Sequence, residues 1–240
     1  MQMKLFKVAL CAGVATFAMA GAAAAAEVSF NVGIANEYVF RGVKQTSDQV
    51  QVFGGADATF DGGFYAGTWI SNVGPSWDNG FEYDIYGGWK TDVGPVALDL
   101  GLIYYGYNNS TYSTITDDLN TLEGKIAGSV PAGPFTVGAA AYYSADAGGS
   151  DEDSLYLELN AAYTFEDRAT VSAAVGQYDC DCLGGGVDSY TTYNIGVTVP
   201  VTEKLSIDAR YIGNDDDAQS VFGASTAPES IWVATLKATF

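Results

Sequence analysis

Apolar and polar residues alternate one by one along most of this chain. In FEYDIYGGWK, Phe81, Tyr83, Ile85 and Trp89 share one face, with Glu82, Asp84, Tyr86 and Lys90 on the other. VALDLGLIYY sets Val96, Leu98, Leu100, Leu102 and Tyr104 against Ala97, Asp99, Gly101 and Tyr105. LYLELNAAYTF and LSIDARY repeat the pattern, and IWVATLKATF ends the chain with Trp232, Ala234, Leu236, Ala238 and Phe240 on one side. A period of two over such lengths predicts β-strands, and no segment sustains the 3.6-residue period of a helix.

The links between strands narrow the architecture. Short turns are expected at Asp61 to Gly63, Asp92 to Pro95, Pro131 to Pro134, Glu166 to Arg168 and Pro200 to Lys204. Longer polar links, at 41–49, 72–80, 108–118, 145–153, 179–189 and 213–229, alternate strictly with them. The pattern predicts an all-β fold, an up-and-down antiparallel transmembrane barrel of about 12 strands with both chain ends on the short-turn side. A soluble sandwich has shorter strands, and nothing in it forces long and short loops to take turns. Closing the sheet also satisfies every backbone donor and acceptor in hydrocarbon. The final strand, Trp232 to Phe240, then closes the barrel with its even-numbered residues toward lipid. Phe64, Phe81, Phe135, Phe165, Tyr211 and Trp232 are expected near strand ends as an interfacial girdle. Phe240 resembles the C-terminal aromatic that barrel-insertion machinery reads.

The N-terminus changes the picture of where the chain goes. Lys4 and Lys7 precede an apolar core, Val8 to Ala20, and Ala24 to Ala26 form a small-residue cleavage site. This predicts a signal peptide over residues 1–26 and a single barrel domain over 27–240, destined for the cell outer membrane. Lys4 and Lys7 are two of the 10 basic residues, so the exported chain carries 8 against 29 acidic, a net charge of −21. A surface of that charge repels nucleic acid, which is set aside as a partner. Cys180 and Cys182, in YDCDCLGGG, are read as a loop cystine or two idle thiols. The chain has no histidine and no second cysteine pair to complete a zinc site.

Residues 36 to 74, NEYVFRGVKQTSDQVQVFGGADATFDGGFYAGTWISNVG, resemble the N-terminal signature of the TorF-type porins, also described as the Gcw conserved hypothetical family. The matching elements are YVFRGVKQT, the GG-D of the next strand, GFYAGTW-SNV and E-D-YGGW, over roughly residues 36 to 90. The resemblance implies an outer-membrane barrel and suggests a channel. It carries no substrate with it.

Candidate chemistry is sparse. Barrel enzymes generally rely on histidine as general base, so no catalytic residue is assigned and no enzyme is expected. No glycine-rich nucleotide motif occurs in a strand-to-helix context, and the glycines of YGGW and FGGA suit barrel curvature instead. The acidic runs Ser144 to Ser154 and Asn214 to Gln219 fall in expected outer loops and lack the last glutamate of an EF-hand, so no metal site and no cofactor is assigned. Bridging of these runs to lipopolysaccharide by divalent cations is the functional alternative to plain solvation. The lumen face collects Asp57, Glu82, Asp84, Lys90, Asp99, Glu158, Asp208 and Arg210, six acids to two bases, an excess that favours cations in a confined pore. Even parity of Val28, Phe30, Val32 and Ile34 continues through Tyr38 and Phe40 toward lipid. It aims Arg41 at the lumen near the outer rim, where carboxylates across the barrel would let it anchor the first outer loop. The reading is a diffusion channel for small solutes or ions, set in the lipid bilayer beside lipopolysaccharide. Its alternatives are a structural or adhesive barrel presenting acidic loops and, further off, a soluble secreted β-protein.

Overall fold

A computed structural model describes residues 26–75, 80–108, 119–166 and 168–240. The leader expected at the N-terminus lies outside the described residues except for Ala26, as do Asp167 and much of the links 72–80 and 108–118. In chain order the strands are β1 (Glu27–Ala35), β2 (Val39–Phe40), β3 (Val43–Lys44), β4 (Gln51–Thr59), β5 (Phe64–Asn72), β6 (Phe81–Val93) and β7 (Val96–Tyr107). They continue as β8 (Thr121–Ala132), β9 (Phe135–Ser144), β10 (Ser154–Phe165), β11 (Ala169–Cys180), β12 (Ser189–Pro200), β13 (Leu205–Asn214) and β14 (Ser230–Thr239). A short helix, α1 (Asp216–Phe222), precedes β14.

Twelve of these strands form one closed antiparallel barrel in sequence order, with β1 pairing both β4 and β14. Phe30 and Phe240 exchange backbone hydrogen bonds of 3.0 and 2.9 Å, so the last residue completes the closure. The barrel is apolar on its outside: Leu159 and Trp232 are 63% and 66% exposed, whereas Glu37 and Glu82 are 2% exposed inside it. That inversion of a water-soluble core suits a barrel whose outer face meets hydrocarbon. Aromatic contacts line the outer surface near the strand ends, with ring centroids 5.3 Å apart for both Phe135 with Tyr163 and Tyr211 with Trp232.

The first long link departs from the sequence reading. β1 ends at Ala35, and residues 36–50 turn into the barrel instead of prolonging the lipid-facing strand. Tyr38 and Phe40, expected toward lipid, face inward: Tyr38 packs edge-on against Trp69 at 5.4 Å and Phe40 lies 5.6 Å from Tyr105. Asn36 supplies the physical reason. Its side-chain amide donates to the Trp232 carbonyl (3.0 Å), and its carbonyl oxygen accepts from the Ala234 amide (2.6 Å). A side chain thereby takes over pairing with β14, which frees the main chain to leave the sheet.

Candidate functional site: a hairpin folded into the outer mouth

The inward segment is built around a buried carboxylate. Glu37 accepts from the amides of Thr46 (3.0 Å) and Asp48 (2.6 Å) and from the Thr46 hydroxyl, while Thr46 accepts from the Tyr38 amide (2.9 Å). These bonds tie both ends of a small hairpin, β2 paired with β3, whose two-residue turn is Arg41–Gly42. Both turn residues have positive φ, 47° and 85°, as a type I′ turn requires. Arginine is unfavoured there, at a cost of about 1–2 kcal/mol. Gly42 is required twice over, by its φ and because a Cβ would strike the Asn214 side chain.

The hairpin crosses the mouth from the β1–β4 link to neighbouring strands of the wall. The Tyr38 hydroxyl donates to Glu82 on β6 (2.8 Å). Two strands further on, Arg41 donates from both terminal nitrogens to the two oxygens of Glu123 on β8, at 2.6 and 2.8 Å, and Tyr105 of the intervening β7 donates to the same carboxylate at 3.1 Å. The Arg41 guanidinium lies 4.4, 5.0 and 5.9 Å from the ring centres of Tyr156, Tyr142 and Tyr178, and 4.7 Å from Phe40. Burial works against this charge, yet its bonds to Glu123 outweigh burial and raise its pKa above the ordinary value. Burial, with Glu82 beside it, also pushes the Tyr38 phenol well above its usual range, so it remains a neutral donor. Val43 packs on Tyr190, Ala218 and Ala227, and Asn214 donates to the Gly42 carbonyl at 2.8 Å, so α1 and its flanks help seat the turn.

Strand register places the side chains of Asp57, Glu82, Asp84, Lys90, Asp99, Glu158, Asp208 and Arg210 on the inner face, together with Glu123 and Lys125. They are not one cluster. Asp99 takes Tyr65 (2.8 Å) and Lys125 (2.7 Å), while Arg210 spans Asp208 (3.1 Å), Asn194 (2.6 Å) and Ser172 (3.0 Å). Asp57 is held by the Tyr86 hydroxyl (2.6 Å) and Glu158 by Tyr156 (3.2 Å) and Asn160 (3.0 Å). Lys90 lies 4.7 Å from the Tyr65 ring centre. Among the described residues, Asp57, Glu82, Asp84 and Glu158 have no lysine or arginine partner. The Asp84 Oδ1 atom, also buried, has no hydrogen-bond partner among them.

Sequence reasoning passed over Glu123 and Lys125, although Leu122 and Ile126 set the parity that turns both inward. It also passed over a row of tyrosines. Tyr142, Tyr156, Tyr178 and Tyr190 stand opposite one another in successive registers across β9, β10, β11 and β12. Cys180 and Cys182 form a disulfide at the outer end of β11.

Among solved structures the chain is similar to the KdgM porin, with a TM-score of 0.60 at 9% identity over 88% of this chain and 99% of that one. The NanC porin gives 0.59 at 9% identity over 89% and 98%. The outer membrane channel DcaP of Acinetobacter baumannii gives 0.50 at 10% identity over 94% and 100%. Identities this low speak to the fold, which is that of outer-membrane porins and locates the chain in the outer membrane. No curated protein matches the sequence. A family model for bacterial proteins of unknown function, Gcw_chp, matches residues 19–240, and with nearly the whole chain inside that match the protein belongs to the Gcw_chp family.

Proposed function

We propose that the protein is a channel for passive diffusion of small solutes or ions, that it favours cations, and that the hairpin at 36–48 forms its constriction. The observation carrying this reading is the inward hairpin, seated by polar bonds to β6 and β8 on one wall and to Asn214 of β13 on the opposite one. A barrel serving only as a scaffold has no need of a loop held in its lumen. Selectivity follows from the inner charges. Arg41, Lys125 and Arg210 are each matched to a carboxylate. Among the described residues this leaves Asp57, Glu82, Asp84 and Glu158 against the unmatched Lys90, a net acidic balance that sets the sign of the interior field. Charges on a confined, low-dielectric wall act more strongly than the same charges in water. KdgM has been solved in complex with disordered oligogalacturonate, a polyanion, and the acidic interior here disfavours solutes of that sign.

The proposal includes a leader removed before Glu27, Phe240 as the insertion signal, and acidic outer loops facing lipopolysaccharide. The intact mass of the purified protein checks the cleavage. Reconstitution in a planar bilayer with a salt gradient tests the channel: discrete conductance steps with a reversal potential favouring K⁺ over Cl⁻ are expected. Neutralising Asp57, Asp84 and Glu158 together moves that potential toward zero. Folded protein without conductance leaves the alternative, a barrel that presents acidic loops without transport. An unmoved reversal potential removes these side chains from the conduction path.

A further inference from the structure

The seat of Arg41 has the composition of a ligand site. A guanidinium is held in plane by both oxygens of a buried carboxylate and faced by tyrosine rings, with Arg41 and Glu123 side chains only 8% and 3% exposed. Forked pairing with a carboxylate and an aromatic enclosure are the two means by which proteins recognise organic cations. The wall itself is built without Arg41. Glu123, Tyr142, Tyr156 and Tyr178 all lie within two residues of the outer ends of β8 to β11, and the sheet register fixes them. Tyr105, on the neighbouring strand β7, orients Glu123 by its own hydrogen bond. Only the occupant comes from a loop, and it is delivered from a turn position that arginine disfavours. Backbone outliers of this kind cluster at ligand clamps and switch regions.

We infer that Glu123, Tyr142, Tyr156 and Tyr178 form a binding site for solutes bearing a guanidinium group, and that Arg41 is its tethered occupant in the closed channel. An incoming guanidinium solute takes the place of Arg41, the hairpin loses its hold on that side, and the solute next meets Glu158 and Asp84, which have no lysine or arginine partner among the described residues. The exchange swaps one cation for another, so it neither strands Glu123 without a partner nor needs a proton. A tethered group acts at an effective concentration on the order of millimolar, so the free solute competes only when concentrated. Weak binding of that order suits a pore, which must release what it binds. The inference rests on the channel reading for its purpose, but the site is measured without any current.

The probe is methylguanidinium chloride, whose methyl protons report binding to the folded, detergent-solubilised protein by saturation-transfer NMR. Arg41→Asn vacates the site and suits positive φ, as does Arg41→Gly, which serves as the second variant should the first fail to fold. Heat-dependent gel mobility establishes folding in each case. Strong saturation transfer is expected in Arg41→Asn, with transfer in the unmodified protein weaker on the order of tenfold because Arg41 competes. Adding Glu123→Gln to Arg41→Asn abolishes it, and tetramethylammonium, which the rings attract but which lacks the fork, gives a weaker signal than methylguanidinium in Arg41→Asn; equal signals from the two cations overturn the preference for guanidinium. Equal transfer with and without Glu123→Gln overturns the site. Equal transfer in the unmodified protein and in Arg41→Asn overturns the tethered occupant. If bilayer currents are absent while this pattern holds, the channel reading fails and the binding site stands.

Discussion

Removing the charge of Glu123 is the sharpest test of what seats the hairpin. In Glu123→Gln the side chain keeps its size, but one of the two oxygens facing Arg41 becomes an NH₂ group that points a donor at a donor. The 2.6 and 2.8 Å bonds are reduced to one neutral acceptor for a charge that is almost fully buried. Breaking a buried ion pair from one side costs about 3–5 kcal/mol. The hairpin escapes part of that penalty by leaving the wall, so the lower figure applies. About 3 kcal/mol is slightly over two decades in population, an increase in the unseated hairpin on the order of 100-fold. Val43, 4% exposed beneath the turn, is the reporter. Changed to cysteine, it becomes reachable by an impermeant thiol reagent only when the hairpin lifts, and Cys180 and Cys182 do not compete because they are bonded to each other. When reseating is fast relative to labelling, the labelling rate tracks the unseated population. The rate in the Glu123→Gln background is expected to rise by about two decades, with Arg41→Lys in between because it keeps the charge and loses the fork. An unchanged rate would refute the ion pair as the latch and leave the hairpin held by Glu37, Tyr38 and the α1 contacts.

Three further outcomes follow from the same geometry. Gly42→Ala introduces a Cβ at positive φ against Asn214 and should raise Val43 labelling while leaving the barrel folded, so a rate equal to the parent's would contradict the close approach. Asn36→Ala removes two bonds to the β14 backbone and should lower stability by about 1–3 kcal/mol, read as a shift of the urea midpoint in detergent; an unmoved midpoint would deny Asn36 its part at the seam. For orientation, cysteines at Ser150 and Asp216 should label on intact cells, and those at Gly62 and Ala132 only after the outer membrane is opened. Labelling of Gly62 from outside would invert the barrel.

Much of the architecture was legible in the chain because hydrocarbon on one side and water on the other impose a period of two on every strand. Val96 to Tyr104 and Leu155 to Phe165 read directly as faces, and the alternation of short and long links gave twelve strands and their common orientation. Parity also assigned Asp57, Glu82, Asp84 and Asp208 to the interior, since a face is a local property of a strand. The tertiary structure alone decided what those side chains meet. Register determines that Tyr142, Tyr156, Tyr178 and Tyr190 form one row, and register is set by pairing between strands. Parity then misled at Tyr38 and Phe40, where Asn36 stands in for backbone on β14 and releases the chain from the sheet. The pairing of Arg41 with Glu123, 82 positions away, depends on that release and on the diameter the closed barrel imposes. Alternation reports which medium a residue faces, and says nothing of how far the opposite wall stands or which loop will cross to it.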